Sequence, residues 1–201
     1  MEKHIEQTES IAVGDTVTQP VHTRSTLPEF FAETVKTILL ALLLYFVISA
    51  VTDRVRVENV SMQPTLFEGE LLVVWKPAYQ FGEPHRGDII VFHHSRQPQE
   101  DYIKRVIGLP GDEVIIENGQ VSINGIVLSE PHIATPPAYT GSWLVPPDSL
   151  FVLGDNRNRS SDSHVWGYVP MSAVVGRAVL IYWPPGSMRI LSHTDLLDGR
   201  Q

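Results

Sequence analysis

The feature that most constrains this chain is an apolar segment in its first third. Residues 34–51 read TVKTILLALLLYFVISAV, and from Ile38 to Val51 the one residue that is neither apolar nor aromatic is Ser49. A helix of this length covers about 27 Å, close to the roughly 30 Å thickness of a bilayer's hydrocarbon core. We therefore predict a single transmembrane helix over residues 34–52.

Two other structures use apolar segments of similar length. A buried core helix is one alternative, although such helices are rarely so uniformly apolar. A cleaved signal peptide is the other, although a long acidic region precedes the segment and no clear A-x-A site follows it. The flanking charges do not decide the orientation, because Arg24 and Lys36 on one side balance Arg54 and Arg56 on the other.

The rest of the chain is predicted to be a β domain between two tails. Residues 1–33 are rich in Gln, Thr, Glu and Ser and show no helical or strand period, so we predict a disordered tail there and a second tail over residues 191–201. Residues 53–190 contain short β-rich runs separated by turn residues, a spacing typical of antiparallel sheets. The predicted fold class is mainly β, with one N-terminal transmembrane helix ahead of the antiparallel domain.

Two parts of this domain have their own signatures. EVIIENGQVSINGIVL, residues 113–128, contains two Asn-Gly pairs, which are strong signals for hairpin turns. PHIATPPAYTGSWLVPP, residues 131–147, is proline-rich and is predicted to be a surface excursion. Trp143, Trp166 and Trp183 are predicted either to rest on a bilayer surface or to pack in the core.

Charge and cysteine content exclude several classes of protein. The chain carries 15 Lys and Arg against 23 Asp and Glu, a formal net charge of −8, whereas nucleic-acid binding needs clustered cations. It has no cysteine, which excludes disulfides, thiolate metal sites and a cysteine nucleophile. We expect no nucleic-acid partner.

One serine raises the question of nucleophilic chemistry. Ser61, in VENVSMQPTLFEGE, lies between a β-branched run and a proline turn, and as a nucleophile it would need a proton acceptor. His93 and His94 end a strand and are predicted to be exposed. Strand alternation places Lys104 on the same face as Tyr102, where burial would lower the lysine pKa and make it a competent base. Periodicity alone leaves open a lysine that reaches solvent or pairs with a carboxylate.

Four segments together carry a resemblance to a known family. They follow the apolar segment in this order: SMQPTL (61–66), GDIIVF (87–92), YIKRVIGLPGD (102–112) and GDNRNRSSDSHVWGYVP (154–170). They resemble the ordered sequence boxes of type I signal peptidases, the Ser-Lys family S26, and the resemblance covers about residues 34–183. The ending DSHVWG is similar to members from photosynthetic membranes, which implies the cyanobacterial and plastid branch.

The resemblance implies roles for individual residues. Ser61 matches the family's serine nucleophile, and Lys104 matches its lysine general base. Ser160 falls where the family has a serine that hydrogen-bonds and orients the lysine, and Asp162 falls on an acidic residue that supports the site. The Ser61 backbone N–H is the implied oxyanion donor, and Asn59 stands where the best-known members have a second, donating serine.

The resemblance also implies an activity and a location. It implies a serine endopeptidase that removes signal peptides from preproteins after a small-x-small (A-x-A) site, without metal or cofactor. The expected partners are preprotein signal peptides and the lipid bilayer, with the enzyme acting as a monomer near the secretion machinery. The expected location is a plasma or thylakoid-type membrane, with the catalytic domain on the non-cytoplasmic side. Residues 113–150 correspond to a reduced insertion subdomain, and His164 stands where many bacterial members have arginine.

Two rival functions are compatible with parts of the sequence. A self-cleaving Ser-Lys repressor would need a DNA-binding domain ahead of the catalytic one, where this chain has a tail and an apolar span. A catalytically silent, membrane-tethered β domain that binds partner proteins is the alternative from another class. The presence of Ser61, Lys104 and Ser160 favours the peptidase.

Overall fold

The computed structural model describes residues 27–94 and 97–197, so most of the predicted disordered tail lies outside the described residues. The chain divides into two units, one reaching to Leu43 and the other starting at Leu44. The described residues form two α-helices, α1 (Leu27–Val51) and α2 (Ser163–Trp166), and the strands β1 (Thr52–Arg56), β2 (Leu71–Trp75), β3 (Ile89–His94), β4 (Gln97–Gly108), β5 (Glu113–Glu117), β6 (Gln120–Ile123), β7 (Ile126–Val127), β8 (Gly141–Leu144), β9 (Ser149–Leu153), β10 (Val169–Pro170), β11 (Val174–Trp183) and β12 (Arg189–Ile190).

Helix α1 begins at Leu27, seven residues before the predicted start at residue 34, so the prediction of a disordered tail is wrong for residues 27–33. Pro28 suits the first turn of a helix because its missing N–H would have no partner there, and Glu29 complements the helix dipole. The most apolar 18-residue window of this helix has a mean hydropathy of 2.2, and none of it is buried, so the helix is a candidate membrane span by length and composition. Strand β1 starts directly after it at Thr52, the residue with which the predicted helix ended.

The larger sheet carries the residues that were singled out in the sequence. Its strand order is β1-β2-β11-β3-β4-β9-β10, with β12 paired to β11, and its described pairs are antiparallel. Ser61 lies in the connection between β1 and β2, and Lys104 lies on β4. Ser160 and Asp162 follow β9, the neighbour of β4. The topology therefore brings three distant parts of the sequence to one region.

The smaller sheet, in the order β7-β6-β5-β8, occupies residues 113–144, within the range predicted to hold a reduced insertion. Both Asn-Gly pairs form the predicted turns, with positive φ at all four residues, as two-residue hairpin turns require. The prediction of a surface excursion over residues 131–147 is wrong for β8, which pairs with β5. Trp143 in this strand packs against Phe151, with ring centroids 5.1 Å apart, and this contact holds β8 against the core.

Two other positions depart from expectation, and each tryptophan takes one of the two placements left open for it. Leu196, within the predicted C-terminal tail, is fully buried, and its carbonyl accepts a hydrogen bond from Ser129 N at 2.9 Å, so the packed domain extends past residue 190. His94 is buried beside the Trp166 ring rather than exposed, although His93 is exposed. Trp143 and Trp166 pack against core clusters, whereas Trp183 is half-exposed.

Candidate active site

Ser61 lies in a loop that is closed at its base and anchored at its centre. Val57 N donates to Glu70 O and Gly69 N donates to Val57 O, both at 2.9 Å, so the chain leaves and returns at the same place. Met62 and Leu66 within the loop are almost fully buried. The apolar anchors fix the loop from inside, and Ser61 is itself 7% exposed.

Lys104 reaches the serine from the neighbouring strand. Its Nζ donates to Ser61 Oγ at 2.9 Å and to the Ile103 carbonyl at 3.1 Å. The lysine is only 2% exposed, and both faces of the strand are buried around it. Burial lowers the pKa of the Lys104 ammonium to about 8, because desolvation outweighs the opposing attraction of the Asp162 and Asp155 carboxylates. The neutral form that can accept a proton is therefore a minor fraction at pH 7 and becomes the major form above about pH 8.

Asn59 contacts the serine with the acceptor end of its carboxamide. Asn59 Oδ1 lies 3.1 Å from Ser61 N and accepts the Ser61 hydroxyl at 2.6 Å. The backbone N–H can only donate, so the atom that faces it must be the amide oxygen. A donor role for Asn59 toward an oxyanion would require its carboxamide to turn around.

Ser160 and Asp162, which follow strand β9, differ in the contacts that they make. Ser160 Oγ is buried and makes no hydrogen bond within the described part of the chain, so the predicted bond to Lys104 is not formed here. Asp162 Oδ2 accepts Gly154 N at 2.9 Å, and its Oδ1 lies 2.6 Å from His164 Nδ1. Asp162 thus fixes the strand end beside the serine loop, and its charge partly counteracts the lowering of the Lys104 pKa.

Gly154 and Asn156 hold the serine loop, and the sequence reasoning did not single them out. A Cβ on Gly154 would lie 2.5 Å from the Ser61 carbonyl oxygen and 2.3 Å from Ser160 Oγ, so this position tolerates no side chain. Asn156 N donates to the Ser61 carbonyl at 3.0 Å, and Asn156 Nδ2 donates to the Val60 carbonyl at 3.1 Å. Both residues belong to residues 154–170, called the GDNR segment after its first four residues. The resemblance of this segment to the family was the sequence signal that could have identified them.

A buried ion pair ties the lysine strand to the same segment. The Arg105 guanidinium donates to both oxygens of Asp155 at 2.8 and 2.7 Å, and both side chains are almost fully buried. Asp155 also accepts the Thr65 hydroxyl from the serine loop. Such a bidentate charged pair fixes orientation as well as distance. The loop, the lysine strand and the GDNR segment are thereby locked together around Ser61 and Lys104.

A groove of about 490 Å³ is lined by Asn59 and Met62, near Ser61 in the chain, and by Ile103, next to Lys104. Its walls are residues 54–59 on one side and residues 100–103 on the other, with Met62 of the serine loop also contributing. Among the described strands, β1 pairs on one side only, and β4 pairs with β9 only from Arg105 onward. Two unpaired strand edges therefore face the groove, and an extended peptide could hydrogen-bond to either of them.

Proteins of several organisms are similar in sequence. Signal peptidase I of Leptolyngbya laminosa is 45% identical over 175 residues, which cover 83% of this chain and 86% of that protein. Probable signal peptidase I-2 of Synechocystis is 45% identical over 138 residues, covering 66% of this chain and 63% of that protein. Thylakoidal processing peptidase 1 of Arabidopsis thaliana is 35% identical over 158 residues, covering 73% of this chain and 46% of that protein.

These relatives confirm the predicted similarity to cyanobacterial and plastid members. The family described as signal peptidase, peptidase S26, matches the sequence over residues 31–183. That range contains the apolar segment from residue 31 onward, the serine loop, the lysine strand and the GDNR segment. The chain belongs to the S26 family of signal peptidases.

Proposed function

We propose that this chain is a membrane-anchored serine endopeptidase that removes N-terminal signal peptides from exported preproteins after a small-x-small site. The observation that carries the proposal is the 2.9 Å contact between Lys104 Nζ and Ser61 Oγ inside a buried site. A buried lysine with a lowered pKa is a general base, and a serine at hydrogen-bond distance from it is the nucleophile it activates.

In the acylation step, neutral Lys104 accepts the Ser61 hydroxyl proton while Oγ attacks the carbonyl carbon of the substrate. The resulting oxyanion is bound by the Ser61 backbone N–H, a type of contact whose loss typically costs about 2.7–4 kcal/mol of transition-state stabilisation. Protonated Lys104 then gives the proton to the leaving amine as the C–N bond breaks. The mature protein leaves with a new N-terminus, and the signal peptide stays on Ser61 as an ester.

In the deacylation step, a water molecule replaces the leaving amine. Lys104 accepts a proton from the water while the water oxygen attacks the ester carbonyl. The bond between that carbon and Ser61 Oγ breaks, and Oγ recovers the proton from Lys104. The signal peptide leaves with a free carboxylate, and the dyad returns to its starting state.

Two neighbouring groups are proposed to assist the lysine. When Lys104 takes the proton it gains a third N–H, and the buried Ser160 hydroxyl is an acceptor with its hydrogen-bonding capacity unused among the described residues. Asp162 holds the Gly154 end of strand β9 and contributes a negative charge that favours the ammonium. We place the oxyanion on Ser61 N–H rather than on Asn59, because Asn59 presents its oxygen to the site.

The anchor and the groove support this choice of substrate. Helix α1 is proposed to span a plasma or thylakoid-type membrane once, with the catalytic domain on the non-cytoplasmic side and the enzyme acting as a monomer near the secretion machinery. Tethering to the bilayer raises the local concentration of substrates whose signal segment is also in the bilayer. The extended residues before the scissile bond are proposed to pair with a strand edge along the groove between residues 54–59 and 100–103.

Cleavage of a model preprotein tests this proposal. We expect the full chain in detergent to cut directly after an A-x-A site, with the new N-terminus identified by mass spectrometry. Replacing the alanine before the scissile bond with leucine should slow cleavage by about 10- to 100-fold, because overpacking a tight site costs roughly 1–3 kcal/mol. Ser61→Ala enzyme is the blank. Equal cleavage rates for the alanine and leucine substrates, or cleavage by the Ser61→Ala enzyme, would contradict the proposal.

A further inference from the structure

The side chain of Asn59 engages both donor groups of the nucleophile. Its Oδ1 accepts the Ser61 hydroxyl at 2.6 Å and the Ser61 backbone N–H at 3.1 Å. The two hydrogen bonds meet at one atom, and that atom is the oxygen because a backbone N–H cannot accept. The free enzyme therefore holds an oxygen against Ser61 in the region where a substrate carbonyl would have to enter.

The hydroxyl has one proton, and in this arrangement that proton points at Asn59. Toward Lys104, Ser61 Oγ is an acceptor, and Lys104 Nζ is the donor at 2.9 Å. Attack on a carbonyl needs the opposite arrangement, in which the hydroxyl donates to the lone pair of a neutral lysine. As long as the Ser61 hydroxyl donates its hydrogen bond to Asn59, Lys104 cannot accept the proton and the reaction cannot begin.

A substrate carbonyl oxygen competes with Asn59 for the same backbone hydrogen. An oxyanion hole works when its donors lie about 2.7–3.1 Å from the oxyanion, and Asn59 Oδ1 already sits at this distance from Ser61 N. Asn59 is exposed, and no other residue within 27–94 and 97–197 accepts a hydrogen bond from its Nδ2. Among the described residues, only Ser61 holds this carboxamide by hydrogen bonds, and its exposure leaves room for it to rotate away.

We propose that Asn59 is a latch on the nucleophile that a correctly placed substrate carbonyl opens, an inference that rests on the proposed peptidase function. Entry of the carbonyl oxygen displaces Asn59 Oδ1 from the Ser61 N–H and from the hydroxyl. The hydroxyl then turns to Lys104 and becomes reactive. Peptides held along the groove open the latch with their own binding energy, whereas small acyl compounds must overcome it unaided. Asn59 is in this sense a positioning residue that makes Ser61 selective for groove-bound substrates.

The latch predicts that removing Asn59 increases the reactivity of Ser61 toward a small ester. With p-nitrophenyl acetate, Ser61 Oγ attacks the ester carbonyl, its proton passes to Lys104 and p-nitrophenolate leaves. In stopped-flow absorbance at about pH 9, we expect the burst rate of full-length Asn59→Ala enzyme to exceed wild type by about tenfold, the effect of losing two ordinary hydrogen bonds. Asn59→Asp keeps an acceptor oxygen in the same turn and should react no faster than wild type. Ser61→Ala gives the background.

A burst rate of Asn59→Ala at or below wild type would overturn the latch, because that is the result expected if Asn59 only donated to the oxyanion. A rate increase in both Asn59→Ala and Asn59→Asp would also overturn the proposal, because the aspartate retains the acceptor oxygen. A crystal structure of wild type with a peptide aldehyde is the second measurement. The aldehyde oxygen should occupy the Oδ1 position with Asn59 turned away, and an unmoved Asn59 would contradict the proposal. Neither measurement uses a preprotein, so loss of preprotein cleavage would count against the proposed function alone.

Discussion

Replacing Lys104 with arginine should abolish preprotein cleavage as completely as replacing it with alanine, with a loss of about 10⁴-fold or more. Arginine keeps a positive charge at the site but cannot be deprotonated in a protein, so it cannot accept the Ser61 proton. Initial rates of cleavage for wild type, Lys104→Arg and Lys104→Ala measure this directly. Lys76→Arg changes a lysine that neither lines the groove nor contacts Ser61, so it is the matched control and should keep its activity.

The arginine side chain is bulkier than the fully buried lysine it replaces, so the fold must be checked separately. Lys104→Met is close to isosteric, removes the amine and introduces no buried charge. We expect this variant to keep the circular dichroism spectrum of the wild type and to be equally inactive. Substantial cleavage by the arginine variant would show that the lysine supplies charge and not a proton-accepting lone pair.

Gly154→Ala should reduce cleavage by about 100-fold or more while the β domain stays folded. The added methyl would lie 2.5 Å from the Ser61 carbonyl oxygen, which is backbone and cannot turn aside, and 2.3 Å from Ser160 Oγ. The serine loop would have to move by a substantial fraction of an ångström, and a displacement of about 1 Å at a nucleophile costs about 10²-fold in rate. The rate constant of cleavage under saturating substrate is the measurement.

Gly186→Ala provides the matched control for that substitution. Gly186 has open space around its Cβ position and no positive φ, so an alanine there should leave the rate unchanged. Gly154→Ala with a nearly unchanged rate would mean that the serine loop functions without lying against the GDNR segment. In that case the close approach seen here would have no bearing on catalysis.

Local signals predicted the strands and turns well, because the physics that determines them is local. Asn-Gly pairs adopt positive φ at little cost, so the hairpins of the small sheet could be located from four residues. Alternation along β4 did not by itself determine the burial of Lys104, because residues 103–108 are buried on both faces of the strand. Periodicity could not choose between a catalytic lysine and one paired with a carboxylate, since both alternatives require the same burial.

The contacts that assemble the site join residues distant in sequence, so local sequence patterns could not predict them. Arg105 and Asp155 form a buried ion pair across 50 positions, and nothing in either segment alone indicates the partner. Leu196 lies in the predicted tail, where three leucines among polar residues form no strand or helix period, yet it fills a core position. The acceptor orientation of Asn59 depends on the geometry of its turn with Ser61, which residue type does not specify.

The pH dependence of cleavage by wild type and Lys104→Ala, side by side from about pH 6 to 10, tests the Ser-Lys account most directly. Lys104 is a base only when neutral, and its pKa is lowered to about 8, so wild-type kcat/KM should rise with pH through one ionisation near pH 8 and then level off. The mutant should be inactive throughout. A wild-type midpoint near 6.5, as for histidine, or a profile retained by the mutant would contradict the account. No cleavage by either folded protein would instead favour a tethered binding domain.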